Sequence, residues 1–294
     1  MIKTAIPWLA VLFKLLAATG SGVLAFAGIS ELVGSGDARE LRPQAALRAA
    51  IVALALVVCG GVLYILRLGS PAQAMAIVRN VSSGSPASWE FLIYLLLLVC
   101  SVVCLVRVRR EGSLGGVLSV VCIVLALAMG FITGYSHMAM TGTPAWHTPA
   151  IPAGFMASAL LLGGFISVSL AGQSSSEASG EDRESPEEGQ EGQASPGEDR
   201  AKRIAWILVA LALITAVSAV LFGIPASFGP ETLLYWIAVP VIGGVASAFA
   251  AVLAARTRAP WWAYVGVLCS LVGALVFRVS LWLVGSTIPT LLRG

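Results

Sequence analysis

The sequence predicts an all-α, polytopic membrane protein: a bundle of eight transmembrane helices with both termini on the outer face. Three observations predict it. Hydrophobic residues make up 58% of the chain and charged residues 11%, against roughly 45–50% and roughly 25% in soluble domains. The apolar residues are gathered into eight stretches, each near the ~20 residues that a helix needs to cross a bilayer. Between those stretches, Lys and Arg fall almost entirely at alternate connections. Helices are the expected element because unpaired backbone amides in lipid cost several kcal/mol each.

The expected spans are 8–30, 45–66, 89–107, 113–135, 150–172, 204–224, 232–255 and 261–286. The first begins after Lys3 and contains Ala25-Phe26-Ala27, which has the look of a signal-peptide cleavage site. Lys14 interrupts its apolar run, however, and the run is too long for a signal peptide, so a retained helix is expected. The third span is almost unbroken, reading FLIYLLLLVCSVVCLV from Phe91 to Val106. Gly20, Gly22, Gly163, Gly164, Gly243 and Gly244 suit close helix approach. Trp8, Trp89, Trp146, Trp206, Trp236, Trp261 and Trp262 lie near span ends, where aromatic belts form. No pair of Gly/Pro-broken spans of the inverted-repeat transporter type stands out.

Charge sets the orientation. The connections after spans 1, 3, 5 and 7 carry Arg39, Arg42, Arg48, Arg107, Arg109, Arg110, Arg183, Arg200, Lys202, Arg203, Arg256 and Arg258. The opposite side carries only Lys3, Arg67, Arg79 and Arg293. Basic connections stay in the cytoplasm, which puts both termini outside. Segment 173–203 holds nine of the fifteen acids and no large apolar residue. It reads as an acidic, flexible cytoplasmic linker between 1–172, with helices 1–5, and 204–294, with helices 6–8. A docking tail for a partner is the other reading.

The candidate functional residues are the polar ones left on the outer side. Arg67-Leu68-Gly69-Ser70-Pro71 ends span 2, and Arg79 and Asn80 follow it. Trp89-Glu90 opens span 3, and His137 and His147 flank Thr143-Pro144-Ala145-Trp146 between spans 4 and 5. Glu90 is either a helix-start charge at headgroup level or a proton acceptor for a lipid-soluble reductant. Arg67 is a snorkelling cation or a donor that keeps Glu90 ionised. The histidines are interfacial residues or proton relays. Within spans, Lys14 reads as snorkelling or paired in the interior. Arg278 reads as the partner of a bundle carboxylate such as Glu31, or as an internal polar site. Cys59, Cys100, Cys104, Cys122 and Cys269 all lie in spans; Cys100 and Cys104 share a helix face, but no partner pair completes a metal site. With no iron–sulfur spacing, and with both histidines in one outer connection rather than deep in spans as haem would require, no redox cofactor bound by this chain is expected. Walker A, nucleophile-elbow and dinucleotide motifs are missing too.

RLGSP at 67–71, Trp89-Glu90, and TPAWHTPAIPAGFMASALLLGG at 143–164 resemble the membrane anchor subunit of dimethyl sulfoxide reductase-type complexes. The resemblance covers roughly the whole chain and is strong over 60–165. It implies eight helices and an outward N-terminus. It further implies an anchor that oxidises menaquinol on the outer side of the cytoplasmic (plasma) membrane during anaerobic respiration. Electrons would pass to an iron–sulfur subunit and then to a molybdopterin catalytic subunit, with no nucleic acid among the partners. In that family the quinol site uses the His of a His-Leu-Gly-Ser-Pro motif and a Glu opening the third helix. Glu90 matches the Glu, whereas Arg67 replaces the His. Arginine keeps its proton, so it can donate hydrogen bonds to a quinone oxygen but not relay protons. The expected quinol-binding set is Arg67, Gly69, Ser70, Pro71, Glu90, His137, Trp146 and His147, with Glu90 as the acceptor. A transporter or channel with a polar outer funnel, or a purely structural anchor, are the alternative functions.

Overall fold

The structure is a computed structural model that describes residues 7–33, 43–69, 71–140, 146–178, 196–223, 232–257 and 259–291. It contains α1 (Trp8–Val33), α2 (Pro43–Leu68), α3 (Pro71–Arg79), α4 (Pro86–Glu111), α5 (Gly116–Met138), α6 (Ala150–Ala178), α7 (Pro196–Gly223), α8 (Thr232–Trp236), α9 (Ser247–Thr257) and α10 (Trp261–Leu291). A short 3-10 turn, Asn80–Ser83, follows α3. A π-helical stretch, Ile237–Ala246, fuses α8 to α9. Among the described residues there is no strand, and eight helices are long and apolar enough to cross a membrane. The all-helical, eight-span expectation therefore holds.

The spans differ from the expected ones mainly at their ends, where side-chain hydropathy stops before the backbone hydrogen bonds do. α4 starts at Pro86, whose fixed φ and missing N–H suit a first helical position, and ends at Gly112, with φ 73° and its N–H on the Val108 carbonyl. α6 continues to Ala178 and α7 begins at Pro196. Both ends of the acidic segment 173–203 are therefore helical, and 179–195 lie outside the described residues. In the seventh span Pro240 has no N–H to donate, and it sits inside the π-helical stretch. That stretch packs on α10, where Gly243 meets Gly273: a Cβ on Gly243 would lie 2.7 Å from the Gly273 Cα.

Helix contacts arrange the spans as two rings of four. In the first, α1 packs on α2, α2 on α4, α4 on α5, and α5 back on α1. In the second, α6 packs on α7, α7 on the π stretch and α9, these on α10, and α10 back on α6. The rings meet where α6 lies against α1 and α5. Gly22 of α1 and Gly163 of α6 face each other there, so closely that a Cβ on either would overlap the other helix's backbone. Without a hydrophobic drive between helices in lipid, such close backbone packing is a main source of attraction. It makes α1 the most buried of the eight spans.

Candidate quinol site

The polar residues of the first ring converge at one end of it, where α1 and α4 begin and α2 and α5 end. Lys14 stands on the second turn of α1, and Glu90 on the second turn of α4. Each residue is only 5% exposed. Lys14 Nζ lies 3.4 Å from Glu90 Oε2 and donates to Ser136 Oγ at 2.7 Å. The Thr133 carbonyl and His137 Nδ1 lie 3.4 Å from the same ammonium. The second carboxylate oxygen, Glu90 Oε1, is buried with no hydrogen-bond partner among the described residues. A charge at this depth is tolerated when it is paired in the bundle interior, and one oxygen of Glu90 meets that condition while the other does not.

His137 lies in the last turn of α5, 1% exposed, rather than in a loop. Its Nδ1 is 3.1 Å from the Thr133 carbonyl as well as 3.4 Å from Lys14 Nζ. A neutral imidazole has one N–H. Nδ1 therefore either donates to the carbonyl or accepts from the ammonium, and the two contacts belong to alternative tautomers. The ring is held by aromatic neighbours: Trp146 at 5.5 Å, Phe155 at 5.4 Å and Trp282 at 5.7 Å between centroids.

On the other side of the ion pair, Phe13, Tyr64, Phe91 and Tyr94 form an aromatic run joining α1, α2 and α4. Phe13 and Tyr64 are 4.5 Å apart, Tyr64 and Phe91 stack at 5.3 Å, and Phe13 and Tyr94 meet edge-on at 5.6 Å. Tyr94 Oη donates to the Val57 carbonyl at 3.0 Å. Phe13 and Phe91 are the chain neighbours of Lys14 and Glu90, so burial of the rings sets the depth of the charges.

The structure brings together only part of the expected set. Glu90, His137 and Trp146 belong to one buried neighbourhood. Arg67 is exposed in the last turn of α2, and the carboxylate's ion-pair partner is Lys14 instead. Gly69 ends α2 with φ +74°, its N–H on the Ile65 carbonyl at 3.2 Å. Ser70 lies outside the described residues, and Pro71 opens α3. His147 is exposed beyond Trp146. Trp146 departs from the belt expectation: it is 3% exposed, and its Nε1 donates to the Leu281 carbonyl of α10 at 3.1 Å.

Arg278 departs from its expected pairing. Glu31 is at the opposite end of α1, where its carboxylate accepts the Leu114 and Gly115 N–H groups at 2.8 and 2.6 Å and caps the start of α5. Arg278 instead donates to Ser158 Oγ at 3.3 Å and to the Ala274 carbonyl at 3.0 Å, with its guanidinium 4.6 Å from the Phe155 ring centre. Ser136, Thr133 and Trp282 were not singled out by sequence reasoning. Nor was the Lys14–Glu90 pairing, although depth arithmetic signals it. With α1 and α4 entering from the same side, Lys14 and Glu90 both lie within about 6–9 Å of their helix starts at 1.5 Å per residue.

Residues 3–186 match the family model described as polysulphide reductase, NrfD. The chain belongs to that family. Its members are membrane anchors of molybdoenzyme complexes and generally partner with iron–sulfur and molybdopterin-type subunits. The match spans the first ring and α6, and so contains Lys14, Glu90 and His137. Among curated proteins none is similar enough to match. An NrfD-type, multi-pass membrane subunit is thus established.

Proposed function

We propose that this chain is the quinol-oxidising anchor of a dimethyl sulfoxide reductase-type complex in the plasma membrane, taking electrons from menaquinol for anaerobic respiration. The observation that carries the reading is Glu90 Oε1, a buried carboxylate oxygen with no hydrogen-bond partner among the described residues, on a carboxylate whose other oxygen pairs with an ammonium beside an imidazole. Oxidising a quinol to a quinone releases two electrons and two protons. Glu90 Oε1 takes the first proton. The Lys14 ammonium keeps Glu90 ionised beforehand, a role that sequence reasoning gave to Arg67. His137 takes the second at whichever ring nitrogen carries no hydrogen, becoming an imidazolium with both nitrogens protonated. Both electrons leave to a docked iron–sulfur subunit, and acceptor reduction occurs in a molybdopterin subunit. No redox group in this chain is needed for that path.

The exposed Arg67 and Trp89 stand at the ends of α2 and α4 on the same side as Glu90. They suit lateral entry of a quinol, with Arg67 donating to a quinone oxygen and Gly69, Pro71 and His147 at the rim. The alternation of basic connections supports placing this end outside, where the partner subunits would dock. The test is Glu90→Gln in the assembled complex. A loss of at least 100-fold in quinol-dependent turnover is expected, with electron transfer from an artificial donor to the catalytic subunit unchanged. Wild-type quinol turnover in that variant would refute the acceptor role. A wild-type complex that neither binds a quinol-analogue inhibitor nor has its turnover blocked by one would instead leave a purely structural anchor.

A further inference from the structure

Three thiols meet between α4 and α5, away from the Lys14–Glu90 end. Cys100 and Cys104 are one turn apart on α4, and Cys122 comes from α5. All three are buried, at 7%, 0% and 0% exposure. Their sulfurs form a triangle with sides of 3.3 Å (Cys104–Cys122), 3.8 Å (Cys100–Cys122) and 3.9 Å (Cys100–Cys104). The same-face pair read from the sequence therefore gains a third ligand that helix periodicity alone does not reveal.

The triangle has the size of a metal site. A metal–sulfur bond of about 2.3 Å sets coordinating sulfurs about 3.8 Å apart in a tetrahedral site and about 4.0 Å apart in a trigonal one. Two sides already have that length, and a small side-chain rotation opens the third. The donor set is sulfur only: no His, Asp or Glu joins this group among the described residues. Soft thiolates select Cu(I), Zn(II) or iron–sulfur clusters. Zn(II) is almost always four-coordinate in structural sites, and the iron–sulfur clusters take four protein ligands. Three sulfurs in a dry apolar core fit a monovalent, three-coordinate ion.

We propose that Cys100, Cys104 and Cys122 form a binding site for one Cu(I) ion that clamps α4 to α5. Binding is a proton-for-metal exchange: each thiol that coordinates as thiolate releases its proton, and no electron moves. With two thiolates and one thiol the site keeps a single negative charge. The clamp sits about 15 Å along α4 from Glu90, from ten residues at 1.5 Å each. It thus fixes the relative position of the two helices that carry Glu90 and His137, and it stands whether or not that end binds a quinol.

The test uses the full chain in detergent, reduced and oxygen-free. Cu(I) is titrated against a chromophoric Cu(I) chelator, and the bound ion is read by X-ray absorption. One Cu(I) per chain with a first shell of three sulfurs is expected, together with a rise in melting temperature on loading. Cys104→Ser and Cys122→Ala should each weaken uptake at least tenfold, while a Cys59→Ser/Cys269→Ser double variant should not. Failure of the wild-type chain to bind Cu(I) against the chelator, a first shell containing nitrogen or oxygen, or uptake unchanged in both cluster variants would overturn the assignment. Equal competition by Zn(II) would also overturn it, because that outcome requires a fourth ligand. The wild-type absorption spectrum decides the matter even if a variant fails to fold.

Discussion

Lys14 and Arg278 are both cations sealed inside the bundle, and the protein treats them differently. Lys14, in the first ring, faces a carboxylate, a hydroxyl, a carbonyl and an imidazole. Arg278, in the second ring, has a serine, a carbonyl and a phenyl face, and its Nε and Nη2 have no partner among the described residues. Both lean on the same aromatic patch, since Phe155 touches the His137 ring and also lies under the guanidinium. The contrast teaches that the first ring neutralises its buried charge with a group able to change protonation. The second ring only screens its charge with fixed dipoles and a ring quadrupole. Among the described residues, the first ring therefore offers its buried cation a titratable partner that the second ring does not.

The sharpest way to break this contrast is to remove each cation in turn. Lys14→Met strands the Glu90 carboxylate, and removing one member of a buried pair costs about 3–5 kcal/mol. A fall of that size in unfolding free energy in detergent is expected, mostly recovered in Lys14→Met/Glu90→Leu. If the single variant is as stable as wild type, the pair does not hold α1 to α4. Arg278→Met should cost less, about 1–2 kcal/mol, for the lost serine bond and cation–π contact. A loss as large as that of Lys14→Met would mean an anionic partner outside the described residues. His137→Phe keeps the ring contacts but removes the nitrogen beside Lys14. Stability should fall by no more than about 1 kcal/mol, while quinol turnover in the complex falls at least tenfold; a turnover at the wild-type level would remove His137 from the relay. The smallest effect belongs to the exposed pair of Arg107 Nε and Glu111 Oε2, 2.9 Å apart on α4. Glu111→Ala should change stability by about 0.5 kcal/mol or less, which sets the baseline for an ion pair outside the core.

Much of the fold was legible in the sequence because lipid imposes a simple rule on composition. Eight apolar stretches became eight helices, displaced only at ends such as Pro86 and Ala178, where a fixed φ or a continuing hydrogen-bond ladder overrides hydropathy. Glu90 was legible as a candidate because a carboxylate opening an apolar run is costly and therefore informative. Its partner was legible only in depth, because α1 is apolar around most of its circumference and periodicity cannot say which face meets α4. Trp146 was placed at the membrane surface because aromatic residues at span ends usually lie there, yet its indole N–H found the Leu281 carbonyl on α10. For Arg278, charge alone left two readings, the partner of a bundle carboxylate such as Glu31 or an internal polar site. Counting residues excludes Glu31: α10 starts at the end where α1 finishes, and Arg278 lies about 25 Å further along, from seventeen residues at 1.5 Å each. Cys122 was seen within its span, but its nearness to Cys100 and Cys104 was not legible, since that depends on which helices become neighbours.

The central position of α1 also bears on how the protein is made. Its lysine emerges 76 residues before the glutamate that neutralises it, counting from 14 to 90. At a synthesis rate of roughly 5–20 residues per second, the first helix waits about 4–15 s before its counter-ion leaves the ribosome. Throughout that interval Lys14 has no carboxylate to face. The nascent helix must either rest with its ammonium stretched toward the membrane surface or be sheltered by the insertion machinery until α4 arrives. A charge that steadies the finished bundle thus makes its first helix the one most in need of a chaperone at birth.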